Sequence, residues 1–62
     1  MPGAQILLVE DDAVLRELLQ RNLEARKHQV KSVEDAQSAL KSLQAISFDL
    51  VILDINLPDQ TG

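Results

Sequence analysis

Four acidic residues stand where this sequence could do chemistry. Glu10, Asp11 and Asp12 follow the apolar run QILLV, and Asp54 interrupts the run LVILDI. If those two runs are adjacent parallel strands, ~4.8 Å apart, Glu10, Asp11 and Asp54 converge on one small volume. Carboxylates that close repel one another, and they either take up protons or bind a cation. An all-oxygen donor set with few protein groups suits Mg²⁺, which keeps several waters and often shares its shell with a phosphate.

Each piece also has an ordinary structural role. An acidic pair ahead of a helix can serve as a cap and as a complement to the helix dipole. The stretch NLPD after Asp54 is a turn sequence. Asp49 and Asp59 read as solvated loop residues, His28 as an exposed residue at a helix end, and Phe48 as an anchor for the end of a sheet. Only the joint placement of Glu10–Asp11 and Asp54 on neighbouring strands gives the acidic group its force.

The elements that would position these residues alternate along the chain. QILLV, residues 5–9, is a short continuous apolar run that suits a strand buried on both faces. The following stretch, residues 11–28, places Val14, Leu15, Leu18, Leu19 and Leu23 at helical spacings among charged residues. Asp12 is placed to cap that helix, and Arg26, Lys27 and His28 put positive charge at its C-terminal end. QVKSV, residues 29–33, alternates as an outer strand would. A second helix carries Ala36, Ala39, Leu40 and Leu43 on its apolar face, with Ser32 or Glu34–Asp35 marking its start. LVILDI, residues 50–55, is the last strand, and NLPDQTG is a loop.

The order is therefore β-α-β-α-β. Helical crossovers force parallel strands and are right-handed in nearly all known cases. The first and third strands are the most apolar, so they are expected side by side, giving a three-stranded parallel sheet in the order 2-1-3. In sheets that begin this way the ligand crevice lies between strands 1 and 3.

Composition narrows the class. At 62 residues the chain is one small domain, and a chain of this size buries only ~60% of its unfolded surface. The absence of cysteine excludes a disulfide framework and a cysteine-based zinc site. Ten acidic residues against six scattered basic ones give a net charge of −4, and there is neither Trp nor Tyr. Direct nucleic-acid binding is therefore not expected. No window approaches the ~20 apolar residues of a membrane span, and no signal-peptide layout opens the chain. The expected location is cytoplasmic, away from the membrane.

ILLVEDD, LLQRNLE and FDLVILDINLPDQTG together resemble a bacterial two-component response-regulator receiver domain, a flavodoxin-like α/β fold. The resemblance runs from the first strand to the turn after the third. It implies that Asp54 is the phosphoacceptor, that Asp11 binds Mg²⁺ directly and Glu10 through water, and that the Asn56 backbone carbonyl completes the protein's share. It implies a histidine kinase or phosphotransfer protein as partner, and a signalling module rather than an enzyme. Asp12 lies one position beyond the family's acidic pair and remains a cap.

A complete receiver is similar in pattern but about twice as long. Strands 4 and 5, helices 3 to 5, a Ser or Thr and a Lys of the family pattern have no counterpart here, so residues 1–62 are expected to be a partial receiver domain, its phosphorylation impaired. An unpaired third strand is a template for pairing, so a two-fold dimer through that strand, its faces shielded by helices, is expected. A self-assembling fragment with a vestigial acidic site is the alternative function. A phosphatase of the haloacid-dehalogenase type is the enzyme alternative, but it would carry D-x-D where this chain has Glu10-Asp11-Asp12.

Overall fold

The computed structural model describes residues 3–54, and the parallel sheet forms in the expected order. The elements are β1 (Gln5–Glu10), α1 (Ala13–Ala25), β2 (Gln29–Val33), α2 (Ala36–Ala45) and β3 (Leu50–Asp54). All strand pairs are parallel and the order is β2-β1-β3. The register sets Gln5 opposite Gln29 and Val9 opposite Val33 on one side. On the other it sets Ile6 opposite Leu50 and Glu10 opposite Asp54. Ile55, the expected last residue of the third strand, lies outside the described residues.

β1 is central because it is the strand that can be buried on both faces. Ile6, Leu7, Leu8 and Val9 are all buried. Leu7 and Val9 cluster with Ala39 of α2, and Val33 and Phe48 pack against them. Leu8 faces the other way, bordering a groove with Leu19 and Leu23 of α1 and Ile52 of β3. Strand period two thus divides the core between the two helices. Phe48 anchors the end of the sheet, as expected.

The helix faces differ from the sequence expectation. Leu15, Leu19 and Leu23 are half-buried, but Val14 and Leu18 are 79% and 56% exposed. On α2 the buried pair is Ala39 and Ser42, while Leu40 is 61% exposed and Leu43 is also exposed. Ala39 and Ser42, spaced i and i+3, share the face that α2 turns to the sheet, and Leu40 and Leu43 lie to the side of it. Both helices pack on β1 and β2; among the described residues neither helix backbone lies close to β3, although Leu19 and Leu23 of α1 border a groove with Ile52.

The ends of α1 are set locally. Asp12 Oδ1 accepts from the N–H groups of Val14 at 2.9 Å and Leu15 at 3.1 Å, as its capping role requires. At the other end the Lys27 N–H donates to the Glu24 carbonyl and the His28 N–H to the Leu23 carbonyl. That pair of bonds is a Schellman closure, with Lys27 at φ 71° in the left-handed place usually held by glycine.

His28 is not the exposed helix-end residue that the sequence suggested. It lies beyond α1 and is half-buried, and its Nδ1 accepts from the Ala4 N–H at 3.0 Å. Asp49 is exposed, yet it too has a structural task. Its Oδ2 accepts from the Gln5 N–H and its own N–H donates to the Gln5 carbonyl, each at 2.8 Å. The entrance to β1 is thereby held from both sides.

Candidate functional site

The carboxyl ends of the strands carry the acidic residues. Glu10 is the last residue of β1, and its Cα partner across the ladder is Asp54, the last residue of β3. Neighbouring strands lie ~4.8 Å apart, so the two backbone positions are adjacent on one sheet edge. Asp11 follows in the bend between β1 and α1 and is exposed. Strand adjacency and register thus place Glu10 and Asp54 side by side, with Asp11 one residue beyond Glu10. Asn56 lies outside the described residues.

Glu10 is unusual for a charged residue because it is 0% exposed. Burying a carboxylate is costly unless hydrogen bonds compensate. Its Oε2 accepts the Asp12 backbone N–H at 2.8 Å, and its own backbone carbonyl accepts from Arg16 Nη1 at 3.0 Å. The chain thus folds back on Glu10 as it leaves the strand, which fixes the turn that carries Asp11.

Both helices begin at this edge. Asp12 caps α1, and Asp35 caps α2 by accepting the Ser38 N–H at 2.8 Å. The choice left open between Ser32 and Glu34–Asp35 thus falls to Asp35. Its carboxyl is held below the ordinary value of 3.8, chiefly by the Ser38 backbone hydrogen bond, then by the Ser38 side chain, with Lys41 attracting more weakly and desolvation opposing. Two positive helix ends directed at one acidic edge favour added negative charge there.

Among the described residues, no group of three or more His, Cys, Asp or Glu side chains forms a metal cage. The donor chemistry at the edge nevertheless fits a small hard cation. Glu10 and Asp11 offer only oxygen, Asp54 stands in register with Glu10, and an ion that retains most of its water needs few protein ligands. Sequence reasoning missed Arg16, which it treated as a polar residue between the leucines of α1. Its position, one helical turn beyond the cap of an acidic bend, is the signal that was available.

Three parallel strands in the order β2-β1-β3, linked by two helices, define the opening of a flavodoxin-like α/β fold. The chain belongs to the response-regulator receiver family of two-component systems: the family model for the response regulator receiver domain matches residues 6–62. It is 44% identical over 60 residues to the response regulator protein FleR of Pseudomonas aeruginosa, a match covering 97% of this chain and 13% of FleR. It is 45% identical over 58 residues to the sensor histidine kinase AruS of the same species, covering 94% of this chain and 6% of AruS. Against the virulence transcriptional regulatory protein PhoP of Salmonella typhimurium it is 41% identical over 58 residues, covering 94% of this chain and 26% of PhoP. The chain spans about a quarter of these relatives' length or less.

Proposed function

We propose that residues 1–62 are one partial receiver unit whose Asp54 is a phosphoacceptor in two-component signalling. The observation that carries this reading is the register of Glu10 and Asp54 at one edge of two adjacent parallel strands. A carboxylate oxygen of Asp54 attacks the phosphorus of a phosphohistidine, on a histidine kinase or phosphotransfer protein, or of a small acyl phosphate. A new O–P bond forms as the donor's P–N or P–O bond breaks, and the electron pair leaves with the imidazole or the acyl oxygen. Asp11, Asp54 and the Asn56 backbone carbonyl would hold Mg²⁺ directly, and Glu10 through water. When bound, that ion supplies charge neutralisation between the two anions.

On this reading the protein accepts a group on its own side chain and does not turn over as an enzyme. It works in the cytoplasm, consistent with the described helices being too short and polar to cross a membrane, and this segment makes no direct contact with nucleic acid. Incubation with Mg²⁺ and acetyl phosphate is expected to give a small fraction carrying the mass of one phosphoryl group, absent in Asp54→Ala. Mg²⁺ alone is expected to raise Tm in the parent and not in Asp11→Asn. Absence of both the adduct and the Tm shift would overturn the reading.

A specific observation favours self-association as a second activity. Among the described residues no helix backbone lies close to β3, and Leu50, Val51 and Leu53 are exposed, Leu53 by 65%. A strand with an apolar face and open hydrogen-bonding groups pairs readily. A two-fold pairing of β3 with β3 of a second copy would satisfy its open edge. Light scattering is expected to give a dimer or larger species that Leu53→Lys shifts toward monomer. A well-folded parent monomer would rule this out.

A further inference from the structure

Arg16 makes a contact that the phosphoacceptor reading does not use. Its Nη1 donates to the backbone carbonyl of Glu10 at 3.0 Å, and the residue is half-buried. The direction of that carbonyl follows from the ladder. The Gln29 N–H donates to the Ala4 carbonyl, and in a parallel strand alternate residues direct both backbone groups to the same neighbour. Ala4, Ile6, Leu8 and Glu10 therefore all address β2. Yet the pairing of β1 with β2 ends at Val9–Val33. At the next position along the ladder stands the Arg16 guanidinium, and Arg16 lines a pocket with Ser32 and Val33 of β2, Glu34 just beyond that strand and Ser38 of α2.

We propose that Arg16 is a positioning residue that takes the place of the missing rung of β2. By holding the Glu10 carbonyl toward β2, it fixes the peptide plane between Glu10 and Asp11. The chain then turns so that the Asp12 N–H meets Glu10 Oε2 at 2.8 Å. Asp11 is thereby presented on a rigid bend rather than on the end of a fraying strand. The helix works as a brace as well as a crossover, since the Arg16 N–H makes the first helical bond to the Asp12 carbonyl at 2.8 Å. Backbone and side chain of one residue tie both flanks of the acidic bend. The consequence for Mg²⁺ rests on the reading of Glu10 and Asp11 as metal-holding residues; the consequence for the bend does not.

Two measurements on the whole chain test this, using Arg16→Met, which keeps the apolar stem without donors, and Arg16→Lys, which restores a cationic donor. In metal-free protein, hydrogen exchange followed by NMR is expected to show lost protection at the Asp12 amide in Arg16→Met. Protection at Lys27 and His28 should stay, and Arg16→Lys should recover most of the Asp12 effect. In Mg²⁺ titrations Arg16→Met is expected to bind roughly tenfold more weakly, with partial recovery in Arg16→Lys. Unchanged Asp12 protection in Arg16→Met overturns the proposal, and so does an equal loss across all elements, which would mark a general packing role. If the parent itself binds no Mg²⁺, the metal reading fails, while the Asp12 amide still decides the role of Arg16.

Discussion

Asp12 donates its backbone N–H to Glu10 Oε2 at 2.8 Å while its own carboxylate caps α1. One residue thus serves two neighbours through different atoms, and substitution can separate them. Asp12→Ala removes the cap and leaves the amide. It is expected to cost about 1 kcal/mol of stability in urea unfolding, with Asp12→Asn costing little. If Asp12→Ala were as stable as the parent, the cap would have no energetic role.

Lys27 occupies a left-handed conformation at φ 71° that a side chain disfavours by about 1–2 kcal/mol. Lys27→Gly should relieve most of that strain, less the extra freedom that glycine gains in the unfolded chain. A net stabilisation of up to about 1 kcal/mol is expected, seen as a raised urea midpoint at unchanged slope. A lower midpoint would show that the Lys27 side chain contributes more than its backbone costs.

Gly3 donates its N–H to the Lys27 carbonyl at 3.1 Å, and a Cβ built on Gly3 would overlap that same carbonyl. Gly3→Ala is expected to release the N-terminal residues from the α1–β2 turn. Hydrogen exchange at Gly3 and Ala4 should quicken while the middle of β1 stays protected. Uniform exchange rates in parent and variant would contradict the close approach.

The Ala4 N–H points at His28 Nδ1, so that nitrogen must be the unprotonated acceptor, with any ring proton on Nε2. Nitrogen chemical shifts of the imidazole should report the Nε2–H tautomer. His28→Ala is expected to leave the Ala4 amide without this acceptor and to cost about 1 kcal/mol. An Nδ1–H tautomer in solution would exclude the bond.

Asp35 gives α2 a pH-dependent start. Its carboxyl is held below 3.8, so the unfolded chain binds its proton at a higher pH than the folded one does. The stabilisation is therefore present above the ordinary aspartate value and is lost as pH falls through the lower, folded value. Asp35→Asn keeps a capping oxygen but cannot titrate. The parent should lose stability relative to Asp35→Asn across that acidic window, and the two should run parallel at neutral pH.

The sequence alone determined the element order, the sheet order and the Asp12 cap, because these depend on local chemistry. A run of four consecutive apolar residues, Ile6–Val9, too short for a helix and followed at once by acids, suits a strand buried on both faces. An Asp ahead of an amphipathic stretch has unpaired amides within reach. The nearness of Glu10 to Asp54 was legible too, since the two most apolar strands were expected side by side with an acid at or near the end of each; the register that makes them partners came from the structure.

Only the tertiary structure decided which side of each helix is inside. Val14, Leu18, Leu40 and Leu43 satisfy helical periodicity as well as their buried neighbours do, but periodicity does not say how closely a helix approaches its sheet. The same holds for Arg16, His28 and Asp49, whose partners are distant in the chain or lie across a turn. Their roles are hydrogen bonds to particular backbone groups, and a sequence pattern carries no record of where a carbonyl or an amide points once the strands are paired.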